Sequence, residues 1–175
     1  MENHERIIED EKKIHQKILY LANPLGFSSL SVLALEKIIE SIPNKWAVYE
    51  PFREAKEFGV KIVEIESNQT ITLQKAKIQL QKINAEIGKK NEQAIRNCNL
   101  VVAILDGMPE DTGVAAEIGF AYALGKKIIG LRTDFRYAAD NLGSAVNIQV
   151  EHFIRSSGGI IARSLQEFLE FFKNH

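Results

Sequence analysis

Two carboxylates six residues apart, Asp111 and Glu117, stand in the stretch "EDTGVAAEIGFAYALGKK". Read as a helix, this stretch has almost no polar face. Glu117 lies in its middle, with Gly113, Val114, Phe120 and Ala121 three and four positions away. A helix that is apolar nearly all round is expected to be buried. A buried carboxylate without a partner is costly and tends to take up a proton. Two placements are therefore open. Glu117 sits at an exposed edge or pairs with a distant cation, or it projects into a cavity that Gly113, Ala116 and Gly119 leave free. Asp111 has the residue type of an N-cap for the same helix. From that position it would converge with Glu117 on the crevice beyond the preceding strand. Two carboxylates in one crevice suit a reaction with a cationic transition state, such as cleavage of a glycosidic bond.

Other chemistries find less support. Gly26, Gly107 and Gly113 form no dinucleotide fingerprint, and no G-x-x-x-x-G-K-S/T is present, so nothing argues for a phosphate cradle. His4, His15, His152 and His175 are scattered without metal-ligand spacing. The one cysteine, Cys98, excludes a disulfide framework and a Cys-based zinc site. No serine or cysteine has nucleophile-elbow context. By residue type alone, Tyr20 reads as core, Asn147 as a helix cap, and Arg132 and Arg136 as solvent-facing.

The 175 residues suffice for one domain with a real core. With 45% hydrophobic and 26% charged residues, the composition is that of an ordinary globular protein. The 22 basic and 23 acidic side chains leave a net charge of −1, which does not favour nucleic-acid polymers or anionic membranes. The opening "MENHERIIEDEKKIHQK" lacks the apolar run of a signal peptide. No stretch approaches a membrane span, and a cytoplasmic protein is expected.

The elements that must position the carboxylates follow from the hydrophobic pattern. Residues 1–16 read as a polar arm and 17–175 as the domain. "KILYLANP", "KWAVYEP", "NLVVAILDG" and "KIIGLRT" read as strands, the third being the clearest buried one. "SSLSVLALEKIIESI" is a helix with Ser28 or Ser29 as N-cap. Residues 52–68 are expected to be loop with a short helix, and 70–98 a long helix with Gly88 as a break. In the Glu117 helix, Gly125 fits the C-cap, and Lys126 and Lys127 sit where its dipole favours cations. Residues 134–145 read as loop, "VNIQVEHFIRSSGG" as helical and "SLQEFLEFFKNH" as a closing helix. Strand and helix alternate, which predicts an α/β fold with a mainly parallel sheet and ligands beyond the strand ends.

Three segments, "LYLANPLGF", "NEQAIRNCNLVVAILDG" and "DTGVAAEIGFAYALGKKIIGLRTDFR", resemble the nucleoside 2-deoxyribosyltransferases in order and spacing, over roughly residues 17–171. The D-x-G-x-x-x-E-x-G-x-A segment is the specific part. The resemblance implies a flavodoxin-like, doubly wound sheet and transfer of 2-deoxyribose between nucleobases. It implies that Glu117 attacks C1′ as a nucleophile, forming a covalent deoxyribosyl-enzyme with overall retention. It casts Asp111 as the aspartate that positions sugar and base, and Tyr20 as the tyrosine that orients the nucleophile. Asn147 matches an asparagine offered across a subunit interface to the 5′-hydroxyl, which implies a homo-oligomer. Asn23, Phe27, Asn91 and Gly113 fall among the substrate contacts. Deoxynucleosides and free nucleobases are the implied partners, with no cofactor and no metal.

The sequence also departs from the family. Asn91 stands where the family has an aspartate, twenty residues before Asp111, to which protonation of the departing base is ascribed. An amide can hydrogen-bond a ring nitrogen but has no proton to give up. Asp111, Glu92 or a water are the alternatives, and Glu92 lies about 100° away around the helix. Asn23 replaces a common glycine, and Val114 a frequent threonine. Two other readings stay open: an N-glycosidase acting on deoxynucleosides or their 5′-monophosphates, and a non-catalytic nucleotide-binding module. Ser28, Ser29 and Arg136 make only a thin case for a phosphate site. Ribose, with its extra hydroxyl near the carboxylates, is expected to be disfavoured.

Overall fold

The computed structural model describes residues 16–137 and 139–173. The expected polar arm lies outside them except for Gln16. The sheet comprises β1 (Lys17–Ala22), β2 (Trp46–Tyr49), β3 (Leu100–Ile104), β4 (Lys127–Leu131) and β5 (Ile161–Ala162). Their spatial order is β2-β1-β3-β4-β5, every pairing parallel. This is the flavodoxin-like order, and its topological switch point lies between β1 and β3.

The helices are α1 (Ser29–Ser41), α2 (Pro51–Glu54), α3 (Lys56–Ser67), α4 (Leu73–Asn97), α5 (Thr112–Ala123), α6 (Ile148–Ser156) and α7 (Leu165–Lys173). They cover both faces of the sheet, so all of β3 is buried and its sequence need not alternate. Successive strand residues still point to opposite faces. Leu19, Leu21, Val102 and Ile104 pack with Leu35 of α1 and the phenylalanines of α7. Tyr20, Ala22, Val101 and Ala103 pack with Ile95 of α4, Val114 and Ile118 of α5, and Ile154 of α6. This alternation turns Tyr20 toward the helix that carries Glu117.

Several sequence expectations are corrected. Residues 52–68 are not loop: they supply most of α2 and α3. Pro51 occupies the first turn, and the Glu50 carboxylate accepts from the backbone N–H groups of Phe52 and Arg53. Gly88 does not break α4, which runs unbroken for 25 residues from the Thr72 cap. Ser28 holds the N-cap position of α1 without a side-chain capping bond. The two-residue β5 has no counterpart in the sequence reading. Lys126 serves a different helix from the expected one. Its ammonium donates to the carbonyls of Arg96 (2.6 Å) and Cys98 (2.7 Å) at the end of α4. Gly125, at φ +69°, follows α5 in the left-handed conformation that favours glycine.

The α5 helix is not buried all round. Val114, Ile118 and Ala121 are buried, but Thr112, Gly113 and Ala116 are exposed. Their small side chains make a thin wall rather than a packed one. Among the described residues no helix is long and apolar enough to cross a membrane.

Candidate active site

The site begins at Tyr20. The side chain is fully buried on β1, and its ring stacks on Tyr49 with centroids 5.5 Å apart. Its hydroxyl donates to Glu117 Oε1 at 2.5 Å. Burial, and then the charge of Glu117, push the phenol far above its ordinary pKa, so it stays a donor. Glu117 therefore does not find a distant cation; its partner is a neutral hydroxyl.

Burial is the main influence on the Glu117 carboxyl and raises its pKa. The Tyr20 hydrogen bond opposes the rise, while the charges of Asp111 and Glu50 add to it. The result is a carboxyl pushed up from 4.5 to about 7. Such a group exchanges readily between charge states near neutrality, as groups at catalytic sites often do.

Glu117 opens on a cavity of about 560 Å³ beyond the carboxyl ends of β1 and β3, at the switch point of the sheet. Asn23, Phe27, Asn91, Asp111 and Gly113 also line it. The structure thus gathers six of the residues singled out in the sequence around one space. Asp111 keeps its capping role as well, since its Oδ1 accepts from the Val114 N–H at 3.0 Å. A Cβ at Gly113 would stand 3.0 Å from that same oxygen, so glycine leaves the Asp111 carboxylate room. Phe27 meets Phe52 edge-on at 4.8 Å, and any side chain at Gly26 would collide with the Phe52 ring.

Asn147 is not part of this cavity. Its side chain caps α6 by accepting from the N–H groups of Gln149 and Val150. It lines a separate hollow of about 380 Å³ with Glu110 and Asp140. Glu92 is occupied elsewhere: it pairs with Arg96 at 2.8 Å on the exposed side of α4. That pairing removes it as a stand-in for the missing acid at Asn91.

Sequence reasoning missed Glu50. It is 1% exposed and accepts from Asn23 Nδ2 at 2.9 Å, Phe52 N at 3.1 Å and Arg53 N at 2.8 Å. One carboxylate thus ties the loop after β1 to the start of α2, fixing two walls of the cavity. Charged-group hydrogen bonds of this kind are worth about 1.5–3 kcal/mol each when buried. The only available signal was "EP" after a strand, and glutamate is not a favoured N-cap. Phe52 and Lys56 also line the cavity and were likewise missed, because their segment was read as loop.

Arg132 corrects another expectation. It is fully buried rather than solvent-facing, and its guanidinium donates to the carbonyls of Leu105, Gly107 (2.7 Å) and Arg136 (3.3 Å). It thereby holds the loop leading from β3 to Asp111. Arg136 is exposed and pairs with Asp134 at 2.5 Å. Among the described residues, no group of three or more His, Cys, Asp or Glu side chains could hold a metal ion.

The family model described as nucleoside 2-deoxyribosyltransferase matches residues 19–157. A conserved protein from Enterococcus faecalis V583 has a similar structure, with 26% identity and a TM-score of 0.65, covering 91% of this chain and 98% of that one. The 2-deoxyribosyltransferase of Bacillus psychrosaccharolyticus shares the fold at 16% identity and a TM-score of 0.58, covering 87% and 90%. The CMP N-glycosidase BcmB of Clostridium botulinum aligns at 23% identity and a TM-score of 0.48, covering 90% and 98%. No curated protein matches the sequence. With a family model spanning most of the domain and the carboxylates in a flavodoxin-like switch-point cavity, the chain belongs to the nucleoside 2-deoxyribosyltransferase family.

Proposed function

We propose that the protein transfers 2-deoxyribose from one nucleobase to another, with Glu117 as nucleophile and retention of configuration. The observation that carries this reading is the Tyr20–Glu117 hydrogen bond at the wall of the cavity. It orients one oxygen of the carboxylate and holds down a pKa that burial has raised to about 7. In the first step a carboxylate oxygen bonds to C1′ as the C1′–N bond breaks and its electron pair leaves with the base. In the second, a new base attacks C1′ and releases the carboxylate. The Asp111 carboxylate at the same wall favours the positive charge that builds on the sugar. A ribonucleoside would bring a 2′-hydroxyl toward this crowded wall, so the reading includes discrimination against ribose.

Deoxynucleosides and free bases are the substrates in this reading, which calls for neither cofactor nor metal and is set in the cytoplasm. Asn147, which does not line the cavity of its own chain, serves a neighbouring subunit's site in a homo-oligomer. Incubating 2′-deoxyinosine and adenine with the protein is expected to yield 2′-deoxyadenosine, read by chromatography. Hypoxanthine with free deoxyribose as the sole products would instead establish an N-glycosidase. Binding without turnover would establish a non-catalytic module.

A further inference from the structure

The cavity is lined by five charged or amide side chains: Asn23, Lys56, Asn91, Asp111 and Glu117. A departing base needs a proton at its ring nitrogen, and four of the five are either committed elsewhere or have none to release. Glu117 must be ionised to attack. Asp111 accepts a backbone N–H as the cap of α5. Asn23 spends its amide hydrogens on the Leu21 carbonyl at 3.1 Å and on Glu50 at 2.9 Å. Asn91 can hydrogen-bond the base but has no proton to release. Lys56 remains. It carries three N–H donors and a positive charge, and its ammonium makes no hydrogen bond or ion pair with any described residue.

Its position suits the task. In a displacement at C1′ the nucleophile and the leaving group lie on opposite sides of the carbon. A sugar seated on Glu117 of α5 therefore directs its base away from α5 and across the cavity. Beyond Pro51 and Phe52 of α2, the remaining helical wall comes from α3 and α4. Lys56, Gly59 and Ile62 rise from successive turns of α3, and Ile87 and Asn91 from successive turns of α4. The isoleucines offer the base apolar faces, and Lys56 and Asn91 are the polar groups of that wall.

Resting on the transfer reading above, we propose that Lys56 is the catalytic residue that protonates the departing base, in place of the acid missing at Asn91. As the C1′–N bond breaks, the base nitrogen keeps the electron pair and takes a proton from the Lys56 ammonium. Glu117 forms the bond to C1′, and Lys56 is left as a neutral amine. In the second half the incoming base returns a proton to that amine as its nitrogen bonds C1′, which restores both groups.

The test compares wild type, Lys56→Met and Lys56→Arg on two donors, following release of the first base in a single turnover without acceptor, so that the proton returned in the second half does not enter the comparison. One donor is 2′-deoxyinosine, whose base needs a proton to leave. The other is N7-methyl-2′-deoxyguanosine, whose base leaves neutral without one. Lys56→Met is expected to lower turnover of deoxyinosine on the order of 100-fold and to leave the methylated donor unaffected. Lys56→Arg, which keeps the charge and the donors but does not give up a proton, is expected to show a loss close to that of Lys56→Met, whereas full rescue by Arg would reduce Lys56 to a hydrogen-bond donor and overturn the proton transfer. Equal losses on both donors, or no loss on either, would overturn the role of Lys56. A wild-type protein that turns over neither donor would instead overturn the enzymatic reading and the proposal with it.

Discussion

Glu117→Gln is expected to abolish base exchange, with turnover falling by about 10⁴-fold or more, while the protein folds and gains stability above neutral pH. The amide has nearly the size of the carboxyl, and its carbonyl can still accept from Tyr20. What it lacks is the electron pair of an ionised oxygen. The stability gain follows from the raised pKa of Glu117, about 7 against 4.5. A carboxyl whose folded-state pKa lies above the unfolded one prefers the folded protein when protonated. The stability it lends is full below about pH 4.5 and is lost as pH rises through about 7. Above that range the wild type bears the whole cost of the buried charge, about 3 kcal/mol, and the amide variant bears none. Urea unfolding should therefore find the variant more stable at about pH 8 and level with wild type near pH 4. An inactive variant that is less stable at both pH values would assign Glu117 a packing role instead.

Tyr20→Phe carries the second large effect. The ring still fills its place against Tyr49, but Glu117 loses the one influence that lowers its pKa. A hydrogen bond to a charged group is worth about 1.5–3 kcal/mol, which corresponds to about one to two pH units. The acid limb of turnover, set by ionisation of Glu117, is expected to move upward by that amount. At neutral pH, where the wild-type carboxyl is about half ionised, this lowers turnover about fivefold to fiftyfold, and much of the rate returns in alkaline buffer. A full pH profile of kcat checks this. A Tyr20 that served only as core packing would change stability and leave the limb where it was.

Much of this site could be read in the chain because its residues lie where simple patterns are strong. The run from Leu100 to Ile104 is apolar throughout, so β3 was plain, and so was the loop that must follow it to Asp111. Glu117 was conspicuous because an ionisable group interrupts an apolar helix. What the pattern could not give was its partner, since the Tyr20 hydroxyl reaches it from 97 residues away. Alternation along β1 fixes which face Tyr20 takes only once the strand's neighbours are known. The wall formed by α2 and α3 was the real omission. Its apolar stripe (Ala55, Phe58, Ile62, Ile65) is mostly half-exposed, because one side faces the cavity rather than a core. A cavity wall resembles a surface in sequence, so Phe52 and Lys56 were lost with it. Arg132 failed for the opposite reason. Its charge suggests solvent, but backbone carbonyls at the strand ends satisfy it inside the fold.

The central claim is that Glu117 becomes covalently bonded to the sugar. Wild-type protein mixed with 2′-deoxyinosine in the absence of acceptor base, quenched in acid and digested, can be read by peptide mass spectrometry. A deoxyribosyl group is expected on the peptide containing Glu117, lost when adenine is added before the quench. Turnover with an unlabelled Glu117, or with the label on another residue, would contradict it.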